Sequence, residues 1–298
     1  MKPFVETYCL ICRHNTRTEV KYPRNFELDQ INHQQFSARR TTDRFHYQLL
    51  HCLKCGSVFS SPILPQETLL ALYQQATTNF QSELNNVAES YAWNLEKQLK
   101  PMPPQRAALD IGCGSGNLLQ EFLKMGFHKV AGVEPSYKVV AEAGPLQSAI
   151  FTGSFEDFNA NGQQFDLITC FQTLDHLVDP YTVVQKVRSL LTAEGKAVFI
   201  VHNEKSTQAK ILREKSPIYD VAHIYLFNKT TLRLLMEKAG MVVHQVFDVR
   251  NNYTLGYWVL LSPLPFKQLI YSILKKIKLV NVKLPIYPGN IGIIVSRT

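Results

Sequence analysis

Three glycines at alternate positions separate an apolar run from an amphipathic run in the stretch AALDIGCGSGNLLQEF, residues 107–122. The apolar part predicts a buried strand, and the part after the glycines predicts a helix. Because Gly112, Gly114 and Gly116 have no Cβ, a ligand can lie directly against the loop between the two elements. The third glycine comes one residue too early for the GxGxxG dinucleotide pattern, which weakens an NAD-binding interpretation.

The chain from about residue 104 onward alternates short apolar runs with helical patterns. Further strands are predicted at KVAGVE, SAIFTG, FDLITCF, KAVFIVH, MVVHQVFDV and NIGIIVSR, and helices at NLLQEFLKMG, PSYKVVAEAG, PYTVVQKVRSLLTAEG and NKTTLRLLMEKAG. Such alternation predicts an α/β fold with a parallel, doubly wound sheet. In these sheets, ligands bind beyond the carboxyl ends of the strands, near the point where the strand order reverses.

Two carboxylates stand at this predicted sheet edge. Asp110 lies near the end of the strand before the glycines, where it can orient the loop or receive an ammonium group. Glu134 closes the next strand, where a carboxylate can accept both hydroxyls of a ribose. The glycine loop and the two carboxylates together favour a nucleoside-containing ligand over a turn that is merely tight.

Four of the six cysteines form two CxxC pairs, CLIC (Cys9 and Cys12) and CLKC (Cys52 and Cys55). Two such pairs can complete a tetrahedral four-thiolate zinc site, and a closed site of this kind is structural rather than catalytic. Residues 13–51 then form an insertion, which we expect to be a hairpin. Disulfides and a redox pair are the alternatives. The nearby histidines, His14, His46 and His51, are expected to be bystanders.

Composition and charge restrict the setting of the protein. The 298 residues are 45% hydrophobic, which is enough for a buried core. No stretch resembles a cleavable leader or a membrane span of about 20 residues, so we expect a cytoplasmic protein, in which disulfides are disfavoured. The net charge of +8, part of it in SARRTTDR (37–44), can favour anionic partners such as phosphorylated metabolites or nucleic acid.

Taken together, these stretches resemble the class I S-adenosylmethionine (SAM)-dependent methyltransferases. The matching pieces are LDIGCGSG, VAGVE, GSFEDF, FDLITCFQTLDHLVDP and LLTAEGKAVFIVHN, over roughly residues 90–298. The resemblance implies a Rossmann-like, mostly parallel sheet of seven strands and SAM as the cofactor. More narrowly, the front cysteines and AHIYLFNKTTLRLLMEKAGM resemble zinc-ribbon methyltransferases of the sugar C-methyltransferase-like group, which implies Zn²⁺ and a nucleotide-linked sugar as the acceptor.

The same resemblance assigns the cofactor contacts. The glycine loop would border the methionine part of SAM, Glu134 would hold the ribose, the GSFEDF stretch would lie at the adenine, and the residues after the fourth strand would line the outer side. The implied cofactor-binding residues are Asp110, Gly112, Cys113, Gly114, Gly116, Glu134, Phe155, Glu156, Phe171 and Gln172.

Methyl transfer to an alcohol or a carbon acid calls for a general base, and histidine suits this role at neutral pH. The candidates are His176 after the fourth strand and His223 in DVAHIYLFN, with Tyr225 two residues later. Asp175 and His176 stand where the family usually has a Glu-His pair. Ala222 stands where the C-methylating relatives have a glutamate before the histidine, so the choice between the two histidines stays open. The alternatives are that His223 caps or packs its loop and that His176 orients a loop through a hydrogen bond.

The predicted domains are a zinc-ribbon module (1–65), a helical lead-in or lid (66–103) and a methyltransferase domain (104–298) that contains an apolar, basic insert (256–285). Within the lead-in, Tyr91 is expected in the core rather than over the pocket. The segment PFKQLIYSILKKIKLV has apolar residues at helical spacing beside lysines. We expect it to pack on the domain or on a second subunit, and contact with an anionic membrane is the alternative.

The predicted function is therefore SAM-dependent methylation of a small metabolite. An RNA methyltransferase is less favoured, because no Asn/Asp-Pro-Pro-aromatic stretch follows the fourth strand and the basic residues are scattered. A zinc-bearing scaffold that has lost catalysis is the third interpretation, and the alanine at position 222 is its support.

Overall fold

A computed structural model describes residues 4–38, 43–262 and 265–297. The middle of the basic stretch SARRTTDR, residues 39–42, lies outside the described residues, as do small parts of the predicted zinc module (1–3) and of the predicted insert (263–264). The strands are β1 (Thr18–Tyr22), β2 (Leu49–Cys52), β3 (Val58–Ser60), β4 (Ala107–Ile111), β5 (Lys129–Glu134), β6 (Ile150–Thr152), β7 (Phe165–Phe171), β8 (Leu191–His202), β9 (Tyr225–Leu226), β10 (Val242–Asp248), β11 (Asn251–Thr254), β12 (Lys283–Ile286) and β13 (Asn290–Ser296). The α-helices are α1 (Gln66–Gln74), α2 (Leu84–Gln98), α3 (Asn117–Lys124), α4 (Tyr137–Val140), α5 (Pro180–Leu190), α6 (Thr207–Leu212), α7 (Lys229–Lys238), α8 (Leu255–Leu261) and α9 (Lys267–Lys276).

The central sheet has seven strands within the described residues, in the order β10-β13-β8-β7-β4-β5-β6. Strand β13 runs antiparallel to both of its neighbours, whereas the β8-β7-β4-β5-β6 part is parallel. The predicted mostly parallel sheet of seven strands is confirmed. The chain builds outward from β4 to β5 and β6 and then resumes on the other side with β7, so the strand order reverses between β4 and β7. A ligand crevice is expected at this switch point.

The central strands are unbroken apolar runs in the sequence because both faces of these strands are buried. All seven residues of β7 and all seven of β13 are buried, as expected for strands with both faces covered. Helix α3 buries Leu118, Leu119 and Phe122 against the sheet and turns its polar residues outward. The apolar period of each element therefore matches the face that it covers.

Two predicted helices are shorter than their sequence patterns indicate. The stretch PSYKVVAEAG forms only the four residues of α4, and a 3₁₀ turn follows from Gly144, which has a φ of 56°. Helix α5 ends at Leu190, so the prediction that it continues through LLTAEG is wrong. Leu191 is fully buried and pairs with Phe165, and this pairing extends the backbone and starts β8 instead.

The front of the chain forms a second sheet of four strands in the order β1-β2-β3-β9, all antiparallel. Strands β1 and β2 pair across the segment that links the two CxxC turns, as a hairpin requires. The fourth strand, β9, comes from the chain between β8 and α7. The front sheet is therefore completed by residues far along the sequence, although our predicted domain boundary at residue 65 separates the two.

Helix α9 is expected to pack on the domain or on a second subunit, and its apolar residues are only partly covered by the domain. The side chain of Tyr271 lies beside Gly256 of α8, but four apolar residues remain largely uncovered. Phe266 is 80% exposed, Leu269 60%, Ile273 49% and Ile277 55%. Among the described residues, no helix combines the length and hydropathy that crossing a bilayer requires.

Candidate functional site

A cavity of about 1350 Å³ opens at the carboxyl ends of the parallel strands, where the switch point places it. Its wall includes the loop after β4, the ends of β5, β7 and β8, and parts of α1, α2 and the segment after β12. The volume exceeds the roughly 300–1,000 Å³ of an ordinary small-molecule pocket, so a cofactor and an acceptor can share it.

The glycine loop forms one side of this cavity. The N–H groups of Gly112 and Cys113 donate to the carbonyl of Val133 at 2.8 and 3.1 Å, which joins the loop to β5. Gly112 and Gly114 line the cavity, and both have positive φ, 75° and 56°. A Cβ on Gly112 would lie 2.1 Å from Oγ1 of Thr173, so the loop after β7 needs a bare backbone here.

The structure separates Gly116 from the other two glycines. Gly116 has a φ of 80° and precedes the first turn of α3. An added Cβ would contact the apolar side chains of Leu119, Leu146 and Ile150 at 3.4–3.5 Å, and Gly116 is not among the described residues that line the cavity. Backbone conformation and packing therefore account for a glycine at this position, and its contact with a cofactor stays a prediction.

Glu134 connects the glycine loop to the end of β5. Its carboxylate accepts hydrogen bonds from the N–H of Gly114 at 3.1 Å and from the N–H of Ser136 at 2.9 Å. Burial raises the pKa of Glu134, and these two N–H donors oppose that rise. Glu134 also lines the cavity, so one side chain both orders the loop and presents an acceptor to a bound molecule.

Asp110 lies near the end of β4 and is more deeply buried than Glu134. It is 4% exposed, and its Oδ1 accepts a hydrogen bond from the hydroxyl of Thr169 at 2.6 Å. Burial raises the pKa of Asp110 to about 7; the Thr169 hydroxyl lowers it, and the nearby charge of Glu134 raises it further. A cationic group bound in the cavity would favour the ionised form of this carboxyl.

The loop that is predicted to lie at the adenine is held in place by hydrogen bonds from a lysine on α5. Phe155 is buried and Glu156 is exposed, and both line the cavity. The ammonium group of Lys186 on α5 donates to the carbonyls of Phe155, Glu156 and Phe158 at 2.6–2.9 Å. Our sequence reasoning missed Lys186, because nothing in its own helix pattern indicates what it binds.

The end of β7 and the residues after it form a further part of the wall. The ring of Phe171 packs edge-on against Tyr91, with centroids 4.8 Å apart. Tyr91 is only 7% exposed, as expected for a core residue, but it also lines the cavity. Gln172 has a φ of 51°, an uncommon conformation for a residue other than glycine. Its Oε1 is buried and has no hydrogen-bond partner among the described residues, although the side chain lines the cavity.

Three histidines meet at the end of the cavity nearest β8. The imidazole rings of His176 and His223 lie 4.7 Å apart, and those of His202 and His223 lie 5.0 Å apart. All three line the cavity. Residues 176 and 223 are the two candidates from the sequence. Residue 202 was missed, because as the last residue of β8 its place in the cluster depends on how that strand ends.

Each of these rings has a defined partner at Nδ1. Nδ1 of His223 donates to the carbonyl of Ile218 at 2.9 Å, and Nδ1 of His202 pairs with Oδ1 of Asn290 at the same distance. Nδ1 of His176 lies 2.9 Å from the hydroxyl of Tyr73, a residue of α1 that we did not predict. Burial, and then the charge of His176, lowers the pKa of His223 well below its usual range, so His223 is neutral at pH 7.

The side chain of Asp175 lies next to the rings of His176 and His223. It is 1% exposed, and neither carboxylate oxygen has a hydrogen-bond partner among the described residues. Nε2 of His176 lies 3.7 Å from Oδ1 of Asp175. This carboxylate occupies the neighbourhood of His223, where Ala222 supplies none.

Tyr225, the third catalytic candidate, lies elsewhere. It belongs to β9, which pairs with β3 of the front sheet, and its ring stacks on Phe59 at 6.4 Å. Its hydroxyl faces the backbone carbonyls of Tyr8 and Val178 at 3.5 and 3.4 Å, and it is not among the described residues that line the cavity. Alternation along β9 turns Tyr225 toward the front module, so the structure gives it a packing role.

The four predicted metal ligands do come together. The Sγ atoms of Cys9, Cys12, Cys52 and Cys55 all lie within 4.8 Å of one another, and none forms a disulfide. The Cys9–Cys55 and Cys12–Cys52 sulfur distances are 3.3 and 3.9 Å, close to the ~3.8 Å edge of a tetrahedral zinc–thiolate site. Burial raises the pKa of Cys52, but N–H donors from Cys55 and Lys54, together with the thiol groups of Cys55 and Cys9, lower it to about 7.

The neighbouring histidines bind other groups, as expected for bystanders. His51 pairs with Glu19 at 3.0 Å, and the Nδ1 of His14 lies 2.9 Å from the Thr16 hydroxyl. His46 is fully buried between the carbonyl of Tyr47 and the carboxylate of Glu214.

Residues 84–246 match a protein family described as "Methyltransferase domain". Curated relatives include ubiquinone biosynthesis O-methyltransferases. That of Actinobacillus pleuropneumoniae serotype 7 is 30% identical over 109 residues, 33% of this chain and 46% of the relative. That of Serratia proteamaculans is 28% identical over 145 residues, 40% of this chain and 59% of the relative. The chain thus spans about half the length of the curated relatives that it matches.

Among solved structures, the plantazolicin methyltransferase BpumL, in complex with a triazolic desmethylPZN analog and SAH, superposes with a TM-score of 0.50. The superposition covers 77% of this chain and 89% of that chain at 16% sequence identity. At this level of identity, the likeness concerns the fold alone.

Proposed function

The chain belongs to the methyltransferase domain family, and from this premise we propose that it transfers the methyl group of SAM to a small-molecule acceptor. The observation that carries the proposal is the continuity of the cavity, whose wall runs from the glycine loop and Glu134 to the three histidines. One end presents backbone and carboxylate groups suited to a nucleoside and an amino acid, and the other presents groups that can accept a proton. The relatives named above are O-methyltransferases, which supports an oxygen as the methylated atom.

The residues of the first end fit the cofactor. Gly112 and Gly114 would border its methionine part, and the deeper carboxyl of Asp110 would face positive charge. Glu134 would accept from the ribose hydroxyls while it holds the loop, and Phe155 with Glu156 would lie at the adenine. SAM, when bound, supplies an electrophilic methyl group on a sulfonium; the chain contributes position and the exclusion of competing nucleophiles.

The histidine end would receive the acceptor. Since Nδ1 of His223 is occupied as a donor, its Nε2 carries a lone pair that can accept a hydrogen bond from an acceptor hydroxyl. His176 lies on the same wall, beside the Asp175 carboxylate. These two histidines therefore remain our candidates for moving the acceptor's proton, and Tyr225 is withdrawn from the set.

A nucleotide-linked sugar is the acceptor class that we propose. Lys205 and Lys215 line the cavity beyond β8, and neither forms an ion pair with a described residue. Such lysines can bind a phosphate group, which a nucleotide-linked sugar carries and a neutral acceptor does not. Replacing both with glutamine should raise the KM for a phosphorylated acceptor and leave the KM for SAM unchanged.

We also propose that the four cysteines bind structural Zn²⁺. Their sulfur distances suit a tetrahedral ion, and four thiolates leave no coordination position for a substrate. The role of this ion would be to join the turn before β1 to the turn after β2, at the end of the pair where Thr18 and Cys52 are adjacent.

The decisive experiment is calorimetric binding of SAM and of its demethylated product to the wild type and to Glu134→Ala. We expect micromolar binding to the wild type and at least about tenfold weaker binding to the variant, equivalent to roughly 1.4 kcal/mol. Glu237→Ala, on the exposed face of α7, is the matched control and should bind as the wild type does. No binding to a folded wild type would refute the proposed function.

A further inference from the structure

We propose that Asp175, His176 and His223 hold a divalent metal ion in the wall of the cavity, distinct from the cysteine site. The use of this ion rests on the proposed function, because the ion would bind the oxygen of the acceptor. Its binding does not rest on that function and can be measured without SAM or acceptor.

The first support is the convergence of three metal-binding groups. One carboxylate oxygen and one ring nitrogen from each histidine lie within 4.8 Å of one another. Bonds of about 2.0–2.2 Å to oxygen and nitrogen place the ligand atoms of such a site ~3–3.5 Å apart. Small side-chain rotations would therefore close the set around an ion.

The second support is the state of Asp175. Both of its oxygens are buried without a hydrogen-bond partner among the described residues, and the nearest ring nitrogen of His176 is 3.7 Å away. A buried carboxylate without partners is unfavourable, and native structures rarely contain one. A cation between Asp175 and the two rings would supply the missing interaction for both oxygens.

The third support is the way in which the two rings are held. Ligating histidines typically engage a protein group with the nitrogen that does not face the metal. Nδ1 of His223 donates to the Ile218 carbonyl, and Nδ1 of His176 contacts the Tyr73 hydroxyl, both at 2.9 Å. The rings are thus oriented before an ion arrives. Nε2 of His223 is available as a ligand, and Nε2 of His176 is the nitrogen nearest to Asp175.

Two histidines and one carboxylate leave several coordination positions open, a set that suits Fe²⁺, Zn²⁺ or Mn²⁺. His176 and His223 border the cavity, so the open positions would be reached from it. A molecule with two adjacent oxygens, such as a vicinal diol or a hydroxy-ketone, could fill two of them as a chelate. This chemistry is within the sugar class proposed above.

The reaction would then need no change in the oxidation state of the metal. The hydroxyl oxygen of the acceptor would bind the ion, and the ion would lower the pKa of that hydroxyl group. The proton would then leave to solvent through the open side of the cavity. The oxygen lone pair forms a bond to the methyl carbon. The sulfur–carbon bond breaks, and its electron pair stays on sulfur. With the ion bound, His176 and His223 would activate the acceptor as ligands of the ion, and this role would replace the direct proton transfer for which they are candidates above.

The test uses Co²⁺ as a spectroscopic probe on the full chain first loaded with one equivalent of Zn²⁺. We expect one further Co²⁺ per chain, with weak visible bands and without the strong near-ultraviolet thiolate band that cysteine ligation produces. Asp175→Asn, which keeps the shape of the side chain, should weaken this binding at least tenfold and leave the zinc content at one. His223→Gln should act in the same way, whereas His202→Gln, at the edge of the cluster, should keep the cobalt.

The outcomes separate the two proposals. If folded wild type takes up no second ion, or if Asp175→Asn binds cobalt as tightly as the wild type, the metal site is refuted while SAM binding stands. Should the wild type bind the second ion but not SAM, the site would exist and the methyltransferase proposal would fall. Circular dichroism of each variant before titration shows whether lost binding reflects lost folding.

Discussion

Gly112→Ala tests the close approach between the loop after β4 and the loop after β7. The new Cβ would lie 2.1 Å from Oγ1 and 2.9 Å from Cγ2 of Thr173, closer than real side-chain carbons approach. The φ of 75° adds a left-handed strain of about 1–2 kcal/mol. Overpacking of this kind costs about 1–3 kcal/mol. We therefore expect the free energy of unfolding to fall by roughly 2–5 kcal/mol.

A second glycine separates the two contributions. Gly162 has a φ of 82°, and no atom lies within 4 Å of the Cβ that an alanine would add there. Gly162→Ala should therefore show the strain alone, about 1–2 kcal/mol. Thr173→Ala removes the two clashing atoms and leaves the Cβ of residue 173 at 3.0 Å, so Gly112→Ala should cost less in that background.

The assay is urea unfolding of the wild type, the two single variants, the double variant and Gly162→Ala, with SAM calorimetry on each folded protein. We expect a coupling of about 1–3 kcal/mol between positions 112 and 173. Equal costs for Gly112→Ala and Gly162→Ala would show that the loops do not touch. A full cost retained in the double variant would show that the obstacle is not Thr173.

Four further measurements address other parts of the molecule. Lys186→Met removes the donor to three loop carbonyls of residues 155–158. SAM should then bind about tenfold more weakly by calorimetry, and the free energy of unfolding should fall by about 1–3 kcal/mol. An unchanged affinity for SAM would show that this loop does not contribute to cofactor binding. The pKa of Asp110 is raised from 3.8 to about 7, so the folded state binds more protons than the unfolded state between these values. Stability to urea should therefore fall as pH rises from about 4 to 7, and Asp110→Asn should flatten that fall. Cys12→Ser should lose zinc by elemental analysis and lower Tm, whereas Cys113→Ser, away from the cluster, should keep one zinc per chain. Leu269→Ser on α9, a residue that is 60% exposed, should change the free energy of unfolding by no more than about 0.5 kcal/mol, and a larger loss would show that this face is covered.

Much of the fold was predictable, because local patterns and burial agree in the central sheet. Strand β7 matches the apolar run FDLITCF, and β13 lies within NIGIIVSR. Such runs are predictable because both faces of a central strand are covered. Helix ends were less predictable, as at Leu191, where a buried strand pairing ends a helix that the local pattern would continue.

Some residues of the candidate site could likewise be predicted from the sequence, and others could not. Cavity-lining residues such as Gly112 and Glu134 could be named from the sequence, because each closes or follows a strand and the ends of parallel strands share one edge. The spacing of two CxxC turns likewise predicted the cysteine cluster. Gly116 belongs to the same motif, but the side of it that a Cβ would occupy faces apolar side chains, which the motif alone does not indicate.

The sequence by itself determined the alternation of strands and helices, the glycine loop at a strand end and the two cysteine turns, because these depend on neighbours in the chain. Only the tertiary structure decided how distant segments meet. It brought His202 beside His223, placed next to them the Asp175 carboxylate, which has no hydrogen-bond partner among the described residues, and put Tyr225 in the front sheet by pairing β9 with β3. The sequence gives the chemistry of each side chain. The partners of that side chain depend on the strand order and on which loops share a sheet edge, and these are determined only when the whole sheet packs.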